Sequence, residues 1–500
     1  MSRRFLAAGL AAVVLAAAVA GCGDDSSGHL SERTDKALPG QYGGKGPGVL
    51  VSAQPLENVD PQVSRFTALS ARITYTTALA VNDSPIKASG TVFVPKGKAP
   101  EGGWRIVALG HDDDGIQPEC APSASPSLLG LAPSVRALVA AGYVVAVPDY
   151  VGLGMQWQKD VQDKGQYHPF LDSTTAGYSM IDAVRATRKL VSDTSDNWIA
   201  VGTGQGGQAA WAANELAADY AGDLALQGAL AVAPLAALEW LADAAADGTL
   251  SHPQQAMLQQ YLAWLPLGYP DFPIDDFRRG VAAQQWAQLS ICWGPGAHAR
   301  SGLARALGPH DIGPATPQDT DRLRGFLRKT SLPQGPTGAP MLVTAGPPDG
   351  LIPPDRTAAA VDRACAMGDV IDFVTPPPDP DLMAWIADRF NGVPAPNTCT
   401  GPAAPAPTST AAPGPTTSAS ATPAPTTPST APGTTPSTTP STMATDTPAS
   451  TTVDTATPTT TTPPAQPAPA APPAQPGPAN PPAQPAEAVP ALPAATDAQQ

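Results

Sequence analysis

Residues 198–211 read WIAVGTGQGGQAAW. The run 198–201 is apolar and β-branched, glycines follow at 202 and 204, and 208–218 takes up helical spacing, so the stretch reads strand, tight turn, helix. That is the layout of a nucleophile elbow, in which a G-x-S-x-G pattern lets backbone approach closely on both sides of one exposed residue. Gly202 and Gly206 occupy the two glycine positions and Thr203 and Gln205 the variable ones, but the central position is Gly204. The frame is present without the hydroxyl. A phosphate-binding turn has a similar look, yet no lysine at Walker spacing follows.

Outward from this turn the chain divides by composition. From about residue 402 it is Pro, Thr, Ser and Ala with almost no large apolar side chains, and 26 of its 61 prolines fall there. Such a segment cannot bury a core, so 401–500 is expected to be a disordered tail, resembling O-glycosylated stalks or else plain flexible chain. Residues 49–400 are long enough for one large α/β domain. The net charge of -15 argues against nucleic acid as a partner and against electrostatic docking on anionic lipid.

The N-terminus has Arg3 and Arg4, an apolar run over 5–20, and then Val19-Ala20-Gly21-Cys22. A charged start, a short apolar stretch and small residues describe a secretory signal over 1–21, too short for an ordinary membrane span. Cys22 directly after the small residues looks like a bacterial lipobox cysteine that is acylated, whereas a plain signal with an incidental cysteine is the bland alternative. Acyl chains on Cys22 would anchor the protein on the outer face of the cytoplasmic membrane, with 22–48 as a tether. Four cysteines remain, Cys120, Cys292, Cys365 and Cys399. An even count in an exported chain suggests two disulfides, and of the three pairings open we favour Cys120 with Cys292 and Cys365 with Cys399. No CxxC or CxxH pair points to a metal, and no cofactor is implied.

Between tether and tail, strands are expected over 69–76, 87–95, 105–109, 143–147, 198–201, 226–232, 340–345 and 370–374. Helices are expected over 133–141, 176–192, 208–218, 356–366 and 382–390. Strands alternating with helices imply a mostly parallel, doubly wound sheet whose ligand crevice lies at the carboxyl ends of the strands. Residues 235–332 hold Trp240, Trp264 and Trp286, many alanines and no convincing strand. They read as a helical insertion, either a cap over the crevice or an ordinary subdomain.

The pieces GGWRIVALGHDDDGIQPECAPS, VPDYVGLG, YHPFLDSTTAGYSMIDAVRATR, VGTGQGGQAAW, VTAGPPDGLIPPDRT and WIADRFNGVPAPNTC, in this order, resemble the secretory lipase family of α/β-hydrolases. The resemblance implies a serine hydrolase acting on lipid or other carboxylic esters, with a Ser, Asp, His triad. Asp349, in the turn GPPDGLIP, stands where the family has its acid. Gly204 stands where it has its serine. The histidine is expected shortly before the WIADRF helix, but 374–381 reads VTPPPDPD, and all six histidines precede Asp349. The family's oxyanion loop, of His-Gly-Thr-Thr-Gly type, is here His111-Asp112-Asp113-Asp114-Gly115, and carboxylates on that loop would oppose a developing negative charge. The same aspartates, with Glu119, could hold a hard cation, although such a run is more often a solvated loop.

The expectation is therefore an envelope lipoprotein with a hydrolase fold that no longer hydrolyses, retained to bind a lipid or acyl ligand or a protein partner. Two alternatives are kept: an active lipase or esterase with a non-standard nucleophile, and a structural surface protein displaying a glycosylated tail. Thr203 beside the vacancy and Ser179 on the preceding helix are the side chains weighed as replacement nucleophiles. Neither is where an elbow exposes its central residue.

Overall fold

The structure is a computed structural model that describes residues 38–155, 167–292, 297–348, 350–375 and 380–399. Cys22, Asp349 and the proline-rich tail lie outside the described residues.

The first part of the domain runs β1 (Leu50–Pro55), α1 (Pro61–Ser64), β2 (Thr67–Leu79), β3 (Ser84–Pro95), β4 (Trp104–Gly110), α2 (Ala132–Ala140) and β5 (Val144–Tyr150). It continues through α3 (Ser173–Leu190), β6 (Thr194–Thr203), α4 (Gln205–Tyr220) and β7 (Ala225–Val232). A helical insertion follows, with α5 (Trp240–Ala246), α6 (His252–Gly268), α7 (Gly280–Gln284), α8 (Ala297–Arg305) and α9 (Pro317–Thr330). The chain then returns to the sheet with β8 (Met341–Thr344), α10 (Pro354–Ala366), β9 (Ile371–Val374) and α11 (Leu382–Phe390).

Among the described residues nine strands form one sheet, in the order β1-β2-β3-β5-β4-β6-β7-β8-β9. From β5 onward the neighbours are parallel, while β1, β2, β3 and β5 pair antiparallel. The parallel strands are covered on both faces. Trp198, Ile199, Ala200 and Val201 of β6 are all buried, as a continuous apolar run in a central parallel strand requires. One core lies on each side of the sheet, with alternate β4 residues in each: Ile106 and Ala108 on the α3/α4 side, Val107 and Leu109 on the α2/α11 side. A third core, around Leu258, Tyr261, Leu262 and Trp264, belongs to the insertion and takes in Phe170 and Leu171.

Two details were not legible in the sequence. Strand β1 was not anticipated, because it is an edge strand with four of its six residues exposed and therefore carries no apolar run. The helix expected from 176 begins at Ser173, where the Asp172 side chain accepts from the Thr175 amide and caps it. Disulfides join Cys120 to Cys292 and Cys365 to Cys399. The first fastens the loop after β4 to the insertion, across 172 residues of sequence. Among the described residues no helix is long and apolar enough to cross a membrane.

Candidate functional site: the elbow after strand β6

Gly204 follows β6 and caps α4 with φ 56° and ψ -115°, a backbone conformation that is strained for a residue bearing a Cβ. The flanking glycines explain why the turn is so tight. A Cβ on Gly202 would lie 2.2 Å from the Gly206 carbonyl carbon, and one on Gly206 would lie 2.3 Å from the Gly110 carbonyl oxygen. Here β6, α4 and the end of β4 touch through backbone, so only hydrogen fits. Thr203, the last residue of β6, is half-buried, and Ser179 is buried within α3.

The space above Gly204 is filled. A Cβ built there would stand 1.9 Å from Asp112 Oδ1 and 2.8 Å from Asp112 Oδ2. The Asp112 carboxylate reaches this place from the loop after β4, and its Oδ1 accepts from the Gln205 amide at 3.1 Å and the Asp113 amide at 2.8 Å. In an elbow hydrolase the amide after the nucleophile and an amide of this loop form the oxyanion hole. Both donors here serve a carboxylate of the protein itself. Burial pushes the Asp112 carboxyl up to about 6, with the Asp113 charge adding to the effect and the two amide hydrogen bonds opposing it.

The other loop residues are also committed, and the expectation of a solvated acidic run is corrected. His111 is buried, with Nδ1 2.7 Å from the Asp112 carbonyl and 3.1 Å from Asp114 Oδ2, and Nε2 3.3 Å from the Asp149 carbonyl. Burial disfavours its charged form, but Asp114 and Asp149 outweigh that and raise its pKa. Burial lifts the Asp114 carboxyl as well. Since all three partners of the imidazole are acceptors, we read the pair as a protonated His111 donating to an ionised Asp114. Asp113 turns the other way. Its Oδ1 accepts from the Gly115 amide at 2.9 Å, while its Oδ2 accepts from Gln260 Nε2 of α6 at 2.6 Å and lies 3.5 Å from the buried Arg300 guanidinium of α8. The acidic loop is thus pinned to the insertion by a side chain as well as by a disulfide. Glu119 is exposed and does not join the cluster, and among the described residues no group of three or more His, Cys, Asp or Glu is arranged to hold a metal ion.

His168 lies beside the elbow helix. Its Nδ1 lies 2.9 Å from the Val151 carbonyl and its Nε2 2.8 Å from Gln205 Nε2. This fixes a neutral ring that donates through Nδ1 and accepts the Gln205 amide through Nε2. Burial pulls its pKa down to about 4. The nitrogen that would act as a base is occupied by Gln205, and His168 precedes the acid position in sequence. The approach of His168 to Gln205, 37 residues on, had no local signal in the sequence. Asp349 and residues 376–379, where the remaining acid and the missing histidine were sought, lie outside the described residues.

Residues 132–273 match the secretory lipase family. A search of curated proteins finds no match. Among solved structures, the closed state of Candida antarctica lipase A is similar with TM-score 0.57 and 18% identity, over 73% of this chain and 87% of that one. The rice cell wall degrading esterase LipA from Xanthomonas oryzae aligns with TM-score 0.52 and 18% identity, over 70% of this chain and 97% of its own. At this identity the likeness speaks for the fold, and the fold is that of the α/β-hydrolases. The chain thus has an α/β-hydrolase fold in which residues 132–273 match the secretory lipase family.

Proposed function

We propose that this domain is a retired lipase: it keeps the architecture of an ester hydrolase, does not turn esters over, and serves at the cell envelope as a binder of a lipid or acyl ligand or of a protein partner. One observation carries the reading. The position of the nucleophile's side chain and the two amides of the oxyanion hole are all taken by Asp112. Loss of a triad serine costs on the order of a million-fold in turnover, and what survives comes from binding and oxyanion donors. A carboxylate on those donors removes that remainder too. A tetrahedral intermediate would have to displace a like charge from the site that should stabilise it. The absence of any histidine after Asp349 leaves the acid without a base to orient.

The envelope location rests on the lipobox-like Cys22 and the signal that precedes it. Two acyl chains suffice for stable anchoring, and the tether expected over 22–48 would be shorter than that, since Leu38, Gln41 and Gly48 donate to the Ala53, Lys189 and Thr76 carbonyls and hold 38–48 on the domain. The insertion, with its own apolar core, would act as a cap over the former crevice.

Hydrolysis of short and long acyl p-nitrophenyl esters by the purified chain tests the reading, with a fluorophosphonate as a covalent probe. No turnover above a heat-denatured control and no labelling are expected. Turnover abolished by Asp112→Asn would instead make Asp112 the working group and end the proposal. Native mass spectrometry separates a ligand binder from a bare display scaffold, since a co-purifying lipid is expected only if the crevice is used. Cys22→Ser is expected to move the protein from the membrane to the soluble fraction.

A further inference from the structure

The insertion and α10 border an open cleft of about 320 Å³, lined in part by Ala237 from the segment that follows β7. Four arginines line it, Arg324 and Arg328 from α9 and Arg356 and Arg363 from α10, with Trp240 of α5 at its wall. Glu239 and Asp243 line it too, so four arginines against two carboxylates leave a formal excess of two positive charges in a chain whose net charge is -15. The four are not equally committed. Arg324 is paired with both Asp243 and Asp321. Arg363 donates to the Leu332 carbonyl at 3.1 Å and comes only within 4.0 Å of Glu239, the other acid on the wall. Arg356 lies over the Trp240 ring at 5.7 Å and approaches its sequence neighbour Asp355 at 3.4 Å, with both side chains about half exposed or more. The Arg328 guanidinium has no hydrogen bond or ion pair among the described residues, and only its backbone carbonyl is used, by Gln334.

We propose that this cleft binds a small phosphate-bearing anion. Guanidinium forks match phosphoryl oxygens two at a time, and a phosphate, whether free or a diester with two non-bridging oxygens, can be shared among Arg328, Arg356 and Arg363. A monocarboxylate satisfies one fork and leaves the others unmatched. The volume is at the lower end of small-ligand sites, and the apolar wall offers little beyond Trp240, Ala237 and Ala359, so a long acyl chain has no place here. The arginine over the indole holds one guanidinium in position before a ligand arrives, which reduces the entropy lost on binding. This site stands independently of whether the elbow hydrolyses anything.

The test is calorimetric titration of the full-length chain at low salt with inorganic phosphate and, separately, with sn-glycero-3-phosphoglycerol, a soluble phosphodiester of the kind found in lipid headgroups. Saturable binding of either supports the site. Preference for the first identifies a free phosphate, and preference for the second a headgroup. Arg328→Glu changes an exposed side chain whose guanidinium has no partner among the described residues, so folding is expected to be unaffected and binding to weaken about tenfold or more. Arg65→Glu, on the far side of the sheet order at α1, is expected to leave affinity unchanged. The absence of saturable heat with both probes, or affinity unaltered by Arg328→Glu and equally unaltered by Arg356→Gln, would overturn the proposal.

Discussion

Restoring the serine should not restore a hydrolase, and the reason can be measured. In Gly204→Ser the new Cβ meets two obstacles. The backbone at φ 56° and ψ -115° costs a non-glycine residue about 2 kcal/mol. The Asp112 carboxylate, 1.9 Å from the new atom, must also leave, giving up its charged hydrogen bond from the Gln205 amide. That loss is worth about 2 kcal/mol. Urea unfolding of the full chain should therefore show Gly204→Ser less stable than the parent by about 4 kcal/mol. Asp112→Ala removes the second obstacle, so the double variant should recover about 2 kcal/mol relative to the sum of the single changes. Neither variant should cleave p-nitrophenyl butyrate, because no histidine follows Asp349 to activate the hydroxyl. A Gly204→Ser protein as stable as the parent, or a coupling between the two sites below about 0.5 kcal/mol, would refute the placement of Asp112 in the serine's space.

Three further outcomes follow from the same geometry. The Asp112 pKa is raised from 3.8 to about 6 by burial, so the folded state holds a proton that the unfolded state has released; stability should fall as pH rises from about 4 to about 6. Asp112→Asn should remove up to about 3 kcal/mol of that fall, read from urea midpoints across the window; an unchanged slope would exclude Asp112 as a contributor. Asp113→Ala takes a carboxylate from the buried Arg300 and from Gln260, and should cost about 3 kcal/mol while speeding amide exchange in α6 and α8. Exchange that is faster everywhere but there would contradict its role as a fastener. Gly206→Ala places a Cβ 2.3 Å from the Gly110 carbonyl oxygen, backbone against backbone, and should cost about 3 kcal/mol by thermal or urea unfolding, whereas Gly222→Ala, with open space around it, should not.

What the linear chain determined by itself is whatever depends on near neighbours. The strand-turn-helix at 198–211 follows from an apolar β-branched run, glycines at fixed offsets and an alanine-rich helix, and its glycine contacts are those the spacing implied. The alternation of elements, the helical insertion between β7 and β8 and the vacancy at Gly204 were legible for the same reason. The cysteine pairing was favoured but not fixed, since spacing leaves three connectivities open until the fold brings particular sulfurs together. Three aspartates in a row gave no hint that they part company, one into the elbow, one to the insertion and one to a buried imidazole. Asp112 and Gln205 are 93 residues apart, and Asp113 and Gln260 147. The first meeting is a property of the neighbouring parallel strands β4 and β6, whose carboxyl ends open on one crevice, and the second of how the insertion's α6 packs against the loop after β4; only the folded chain brings about either.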